Sequence, residues 1–541
     1  MEKAERMIKH LLEKRADLLT WLSVFLSVIF LRSFVEQFLA ISTPLTILET
    51  IMEFIHNLYF FSLSSLLIWL FLSFIIKVKP QKLSYLLLFS LVLVVMPSFM
   101  DMLKTQGVIY WSFYLLSSPS DLFQQYISIF GHLPSGVVYF GTKITFILTV
   151  FCAAILVWLT TKSAIRTFFA TLGTYSILFF MGAFPSFFYY GYTFLTRTGR
   201  ISDVHSFEIA SFFGSPKHIF GVIFPSFKYT LAYKLDYIYF IFLLCLLSWM
   251  FWLISREKFV AVVKNLRLPQ IIYHAGMFFI GMGLGFLQYG QNFRLDLFST
   301  LSVAVLLGSI CLSWMASVVV NDMNDFRIDE ISNQDRPLPK KIFTLEKYSQ
   351  FGLACFALAI LGGLTIGLPF AVLLLVYQIL AWFYSAAPYR LKRFPFLATL
   401  ISSFASLCIL FLGYILVSSD QTLTGLSWRI IILLMLAYTI SLPIKDFKDI
   451  EGDRADGVWT VPVIFGERKG RLIVATSIFI SYMLSIFFLN EMRLFFWALI
   501  FAAVTFKVVT NEKIKPRALP AWVLGIVSIY TLILVRIVFM R

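Results

Sequence analysis

The chain has 541 residues, of which 59% are hydrophobic and 18% aromatic, and it carries 45 basic against 29 acidic side chains for a net charge of +16. Soluble domains are about 45–50% apolar, so a soluble enzyme is excluded. So is a nucleic-acid partner, because the cations sit in short loops between apolar runs, as membrane topology demands, and are not pooled in a basic domain. Cys152, Cys245, Cys311, Cys355 and Cys408 all lie inside those runs without a CxxC or Cys/His cluster, which gives no sign of disulfides or zinc.

Taken in order, Met1–Arg15 is basic and helix-like and lacks a cleavable signal pattern; it reads as an amphipathic helix on the membrane surface. A span needs about 20 apolar residues, and the first half offers six, at 17–41, 51–76, 83–100, 140–161, 166–194 and 236–255. Lys77, Lys79, Lys82, Lys162 and Arg166 fall in alternate loops, which places the N-terminus and every second loop in the cytoplasm. The 195–235 loop, with its Pro, Gly and aromatic residues, suits a re-entrant or interfacial helix. No intramembrane acidic pair and no catalytic constellation is expected before residue 256. Residues 1–255 read as a separate helical membrane domain, a scaffold or partner-binding module, with delivery of a lipid acceptor as the alternative.

Arg256–Gln270 is a basic, amphipathic linker, and a second domain follows at 271–541. Its nine spans fall at 272–290, 297–320, 348–366, 369–386, 396–418, 428–444, 470–489, 493–509 and 520–538. Gly281, Gly283 and Gly285 suit close helix packing. His274 faces two readings, a packing histidine or a group that assists deprotonation.

Two polar stretches interrupt this second domain. Asp322, Asp325 and Asp329 follow the 297–320 span at i, i+3 and i+7, one face of a helix. Asp446, Asp449 and Asp453 repeat the spacing after the 428–444 span, each 124 residues further on, which marks an internal repeat. Three carboxylates at the end of a membrane span repel one another and raise one another's pKa. A hard divalent cation such as Mg²⁺ relieves that repulsion and leaves room for phosphate oxygens.

These residues stand in motifs that resemble the UbiA superfamily of intramembrane prenyltransferases over about 270–541. The NDxxDxxxD motif is Asn321, Asp322, Asp325 and Asp329, and RPLP follows at Arg336–Pro339. The second motif appears as DFKDIEGDRADGVWTVPV, Asp446–Val463, and a YSxPPxRLK-like element as YSAAPYRLK, Tyr384–Lys392. The chain departs from the family after Pro339, where Lys340–Lys341 stand in place of a frequent Ser-Gly. The resemblance implies two four-helix halves and a ninth helix around a central cavity. It implies Mg²⁺-dependent transfer of an isoprenyl group from a prenyl diphosphate to a lipophilic, aromatic or glycerol-phosphate lipid acceptor.

Breaking an allylic C–O bond leaves negative charge on diphosphate and positive charge on the prenyl carbon. Asp325, Asp329, Asp449 and Asp453 are then expected to hold Mg²⁺, with Asp322 and Asp446 either completing the ligand set or orienting metal-bound water. Asn321, Arg336, Arg390 and Lys392 are candidate diphosphate binders; for Arg390 and Lys392 the alternative is a plain cytoplasmic loop marker. Tyr384 would stabilise the allylic cation or position the acceptor, or else anchor the helix at the interface. The expected site is a prokaryotic cytoplasmic membrane with the N-terminus and both aspartate loops inside. A cation transporter or channel is the rival reading, opposed by carboxylates that gather at one membrane face and not at mid-span.

Overall fold

The computed structural model describes residues 2–38, 46–105, 114–129, 131, 140–196, 201–224, 230–290, 294–455 and 457–538. Fifteen helices among the described residues are long and apolar enough to span a bilayer, six before residue 256 and nine after it. The chain is an all-α, polytopic membrane protein, and two three-residue strands, Lys217–Ile219 and Val222–Phe224, are the extended elements among those residues. It divides into two compact units, Met1–His218 with Ile223–Phe259, and Ile219–Val222 with Val260–Arg541.

The first unit is built on the helix Ile47–Ile76. This helix opens with a capping box, in which Thr46 Oγ1 accepts from the Glu49 amide at 3.3 Å and Glu49 accepts from the Thr46 amide at 2.9 Å. It packs against Leu18–Phe38, Ala164–Gly182 and Thr230–Ile254. The single span expected at 166–194 is instead two helices, Ala164–Gly182 and Phe184–Thr196, broken at Ala183. Pro185 lacks the N–H that a continuous helix would need there and suits the first turn of a new one.

A larger correction concerns polarity. No intramembrane acidic pair was expected in this half, yet Glu36 and Glu53 are both buried, and so are Asp236 and His56. They stand on three strongly apolar helices, Glu36 on Leu18–Phe38, Glu53 and His56 on Ile47–Ile76 and Asp236 on Thr230–Ile254, so hydropathy along one segment conceals them. Only the packing of these helices brings them together.

The second unit is a bundle in which backbones approach closely at glycine. A Cβ on Gly281 would lie 1.9 Å from the Leu410 carbonyl oxygen, and one on Gly413 would lie 1.9 Å from that of Phe278. The helices Leu268–Tyr289 and Pro395–Val417 therefore meet through glycine on both sides. The helix Leu297–Asn324 starts from an Asp296 cap that accepts from the Ser299 amide at 2.7 Å. Its 28 residues rise about 42 Å, longer than the ~30 Å hydrocarbon core. The surplus length carries Asn321 and Asp322 out toward the interface, where charge is tolerated.

Candidate active site

The two aspartate clusters do not each lie on one continuous helix face, as the i, i+3, i+7 spacing suggested. Leu297–Asn324 ends at Asp325 (φ −101°, ψ 11°), and a short helix, Phe326–Ser332, carries Asp329. A 3₁₀ helix, Leu442–Lys448, likewise ends at Asp449 (φ −118°, ψ 14°), before Ile450–Ala455 carries Asp453. The middle aspartate of each motif is thus a hinge with nearly the same backbone conformation. The backbone stays wound through it: Asp329 donates to the Asp325 carbonyl and Asp453 to the Asp449 carbonyl, both at 2.9 Å. The short helices Phe326–Ser332 and Ile450–Ala455 touch, so the repeated motifs face each other.

They flank a cavity of about 1,450 Å³. Asn321, Asp325, Asp329, Arg336, Tyr384, Lys392, Asp446, Asp449 and Asp453 all line it, and deeper walls include Leu433, Val523, Val527 and Leu534. One end is ionic and the remainder apolar, which suits a substrate with a charged head and a hydrocarbon tail.

Cations neutralise the first cluster. Lys392 bonds both oxygens of Asp325, and Arg390 reaches the same carboxylate at 2.9 Å. Arg336 pairs with Asp329 and, at 3.3 Å, with Asp322. Arg390 and Lys392 are therefore more than markers of a loop: Lys392 is 8% exposed and both side chains turn onto the motif. Asn321 accepts from the Ser385 hydroxyl at 3.2 Å, which orients its amide.

Asp322 has a different situation from the one expected of a metal ligand. Its Oδ1 accepts from Arg267 at 2.5 Å and Arg336 at 3.3 Å, and its Oδ2 from Asn265 at 2.8 Å and Tyr348 at 3.1 Å. A carboxylate offers about four lone-pair directions, and all are taken. Asn265 and Arg267 lie in the segment read as a linker, and Tyr348 opens the span read at 348–366; none was singled out. The one available signal was Arg267 directly before Leu268–Pro269, a charged residue at a helix start. Arg267 (φ 52°) and Arg390 (φ 40°) both adopt the left-handed backbone region that non-glycine residues avoid, and both point at this aspartate cluster.

The second cluster is poor in partners. Lys448 lies 3.8 Å from Asp449, a long, exposed contact. Asp453 is pushed up to about 7 by burial and then by the charges of Asp446 and Asp449. Asp329 is also raised, by burial ahead of its attraction to Arg336. Among the described residues no three Asp, Glu, His or Cys side chains form a closed metal cage. The donor chemistry nevertheless fits a hard cation: carboxylate oxygens alone, with negative charge in excess around Asp453, in an open arrangement of the kind Mg²⁺ uses when water or phosphate completes its shell.

Two further residues are placed by the fold. Tyr384 has the Lys445 ammonium 5.3 Å from its ring centroid and 3.4 Å from its hydroxyl. Its ring face already holds a cation, which favours a positioning role over stabilising an allylic one. His274 has both ring nitrogens engaged, Nδ1 with the Gln270 carbonyl at 2.6 Å and Nε2 with the Tyr377 hydroxyl at 3.1 Å. That is the packing reading, on the cavity wall.

Residues 276–534 match the UbiA prenyltransferase family. The chain is similar to digeranylgeranylglyceryl phosphate synthase of Methanosphaera stadtmanae, at 29% identity over 34% of this chain and 66% of that one. It is also similar to the enzyme of that name from Natronomonas pharaonis, at 27% identity over 42% and 77%. The chain spans 66%, 62% and 63% of three such relatives, somewhat under two thirds of their length. Among solved structures, a UbiA homolog from Archaeoglobus fulgidus bound to DMAPP and Mg²⁺ aligns with a TM-score of 0.40 and 16% identity, over 52% of this chain and 98% of that one.

Proposed function

We propose, from the membership of residues 276–534 in the UbiA prenyltransferase family, that this half of the chain transfers an isoprenyl group from a prenyl diphosphate to the hydroxyl of a glycerol-phosphate lipid. The observation that carries this reading is the pair of facing aspartate motifs at the ionic end of a long apolar cavity. The names of the relatives favour the lipid acceptor over an aromatic ring.

In this reading Asp325, Asp329, Asp446, Asp449 and Asp453 hold Mg²⁺, which when bound supplies the positive charge that makes diphosphate a good leaving group. Arg336 and Lys392 line the cavity as donors to diphosphate oxygens, and Arg390 pairs with Asp325 beside them. The C–O bond to diphosphate breaks, the prenyl carbon bonds the acceptor oxygen, and the acceptor's proton is lost. The apolar walls hold the isoprenoid and keep water from the carbocation. Cation transport gains no support, because the carboxylates sit at helix ends beside basic side chains. Incubation of the purified protein with radiolabelled geranylgeranyl diphosphate, Mg²⁺ and a panel of acceptors tests the proposal. Labelled ether lipid is the expected product; label only in an aromatic acceptor would overturn the lipid assignment.

Metal and proton compete for this site. With its carboxyl raised to about 7, folded Asp453 holds a proton that the unfolded chain has already released, so the metal-free protein loses stability as pH climbs from 5 to 8. Thermal melts in chelator should fall over that range, and Mg²⁺ should raise the melting temperature more at pH 8 than at pH 6. A Mg²⁺ effect that is larger at pH 6 contradicts the assignment.

We place both aspartate motifs on the cytoplasmic side, where diphosphates are found. Gln334→Cys and Ala455→Cys, both on exposed positions, should resist an impermeant thiol reagent in intact cells and label in inverted vesicles. The reverse labelling pattern rules this orientation out.

A further inference from the structure

The roles assigned above leave one partly buried cation on the cavity wall without a task. Arg267, Arg336 and Lys392 line the cavity, and each is committed to a carboxylate of the first motif, Asp322, Asp329 or Asp325. Lys448, Arg454 and Arg517 also line it and are exposed. Lys445 lines it as well, on the 3₁₀ helix Leu442–Lys448, and is only partly exposed. Among the described residues no carboxylate stands at ion-pair distance from its ammonium; the charge of the adjacent Asp446 acts from further off. Its described contacts are with Tyr384, 3.4 Å to the hydroxyl and 5.3 Å to the ring centroid. Tyr273, whose hydroxyl donates to Ser406 at 3.0 Å, interacts with the same charge.

An ammonium drawn partly out of water is stabilised by a counter-charge, of which a tyrosine ring and hydroxyl supply only a fraction. Prenyl transfer to a glycerol-phosphate lipid brings two anions into one cavity. The diphosphate has Mg²⁺ on the aspartates, with Arg336 and Lys392 beside it. The acceptor's phosphate needs a cation of its own, because two phosphate groups sharing one set of cations repel each other. Lys445 stands on a different element from Arg336 and Lys392, and its compact three-donor head suits a phosphate oxygen.

We propose that Lys445 binds the phosphate of the acceptor lipid, held toward it by Tyr384, and so makes the site prefer a phosphorylated glycerol lipid to a neutral one. This inference rests on the prenyl-transfer function proposed above. Anchoring the phosphate fixes where the acceptor hydroxyl meets the prenyl carbon.

The test uses the full chain in detergent with Mg²⁺ and geranylgeranyl diphosphate. Two acceptors are compared, geranylgeranylglyceryl phosphate and the neutral geranylgeranylglycerol. In the wild type kcat/KM should favour the phosphate at least about tenfold. Lys445→Met keeps the apolar stem without the charge and should bring that ratio to within about twofold of unity, through the KM of the phosphorylated acceptor. Lys445→Arg should retain most of the preference. Tyr384→Phe, which removes the hydroxyl the ammonium reaches, should lower the ratio severalfold and reads the same contact should Lys445→Met fail to fold. In a second arm, calorimetry follows binding of the slow-reacting analogue geranylgeranyl thiolodiphosphate with Mg²⁺, which should change less than about threefold in Lys445→Met. A loss there as large as the loss of acceptor preference assigns the ammonium to the diphosphate and overturns the proposal. So does a ratio unmoved in both Lys445→Met and Tyr384→Phe, or a wild type indifferent to the acceptor's phosphate. A wild type that prenylates neither glycerol lipid overturns the function beneath this inference, and the inference with it.

Discussion

Exchanging Asp449 for asparagine should slow release of diphosphate at least ~100-fold, while the melting temperature of the metal-free protein stays the same or rises slightly. The side chain is about half exposed and its one described ionic contact is the 3.8 Å approach of Lys448, a pair that contributes little to stability. Its charge weighs on its neighbours instead, since Asp449 helps to hold Asp453 protonated up to about 7. Asparagine keeps the volume and removes that repulsion, so the fold is undisturbed or relieved. What disappears is a carboxylate able to hold Mg²⁺ beside the leaving group. The measurement is single-turnover diphosphate release at saturating Mg²⁺, set beside a chelator melt. A variant with more than a third of wild-type turnover would show that Asp449 is not a ligand that matters.

Asp322→Asn should fail for another reason. Four hydrogen bonds converge on this 1%-exposed carboxylate, two of them from Arg267 and Arg336. Removing one partner of a buried ion pair leaves the other charge desolvated, at a cost of about 3 kcal/mol. Arg336 retains Asp329, whereas Asp322 is the acid described for Arg267. The melting temperature should therefore drop clearly in chelator, where no metal contributes. Arg267→Ala combined with Asp322→Asn should be less destabilising than the two single losses added together, the mark of a direct pair. If Asp322→Asn melts like the wild type in chelator and loses only its response to Mg²⁺, Asp322 is a metal ligand and the anchoring role is wrong.

The pair of variants separates two uses of one motif. Within NDxxDxxxD the first aspartate faces back into the bundle, toward Asn265, Arg267 and Tyr348, and the second and third face the cavity. A regular i, i+3, i+7 spacing suggests equal residues on one face. The hinge at Asp325 makes them unequal, by ending one helix and starting another in a new direction.

Much of this protein is a property of its sequence alone. A bilayer excludes unpaired backbone polar groups, so long apolar runs must be helices, and fifteen could be located from composition. The two aspartate motifs were legible for a similar reason: charge at the end of a membrane span is unfavourable, and the same spacing twice at one offset does not arise from a solvated loop. Tertiary structure alone decided which charges meet. Asn265 and Arg267 sit more than 50 residues from Asp322, and Lys392 sits 67 from Asp325, distances at which no periodicity carries information. Glu36, Glu53, His56 and Asp236 are the sharpest case. Each lies in a run apolar enough to pass for lipid-facing helix, with Asp236 180 positions from His56. Local sequence records how much charge a helix holds; only helix packing turns that charge inward and sets it beside another, because a lone ionised group in hydrocarbon is far less stable than a paired one.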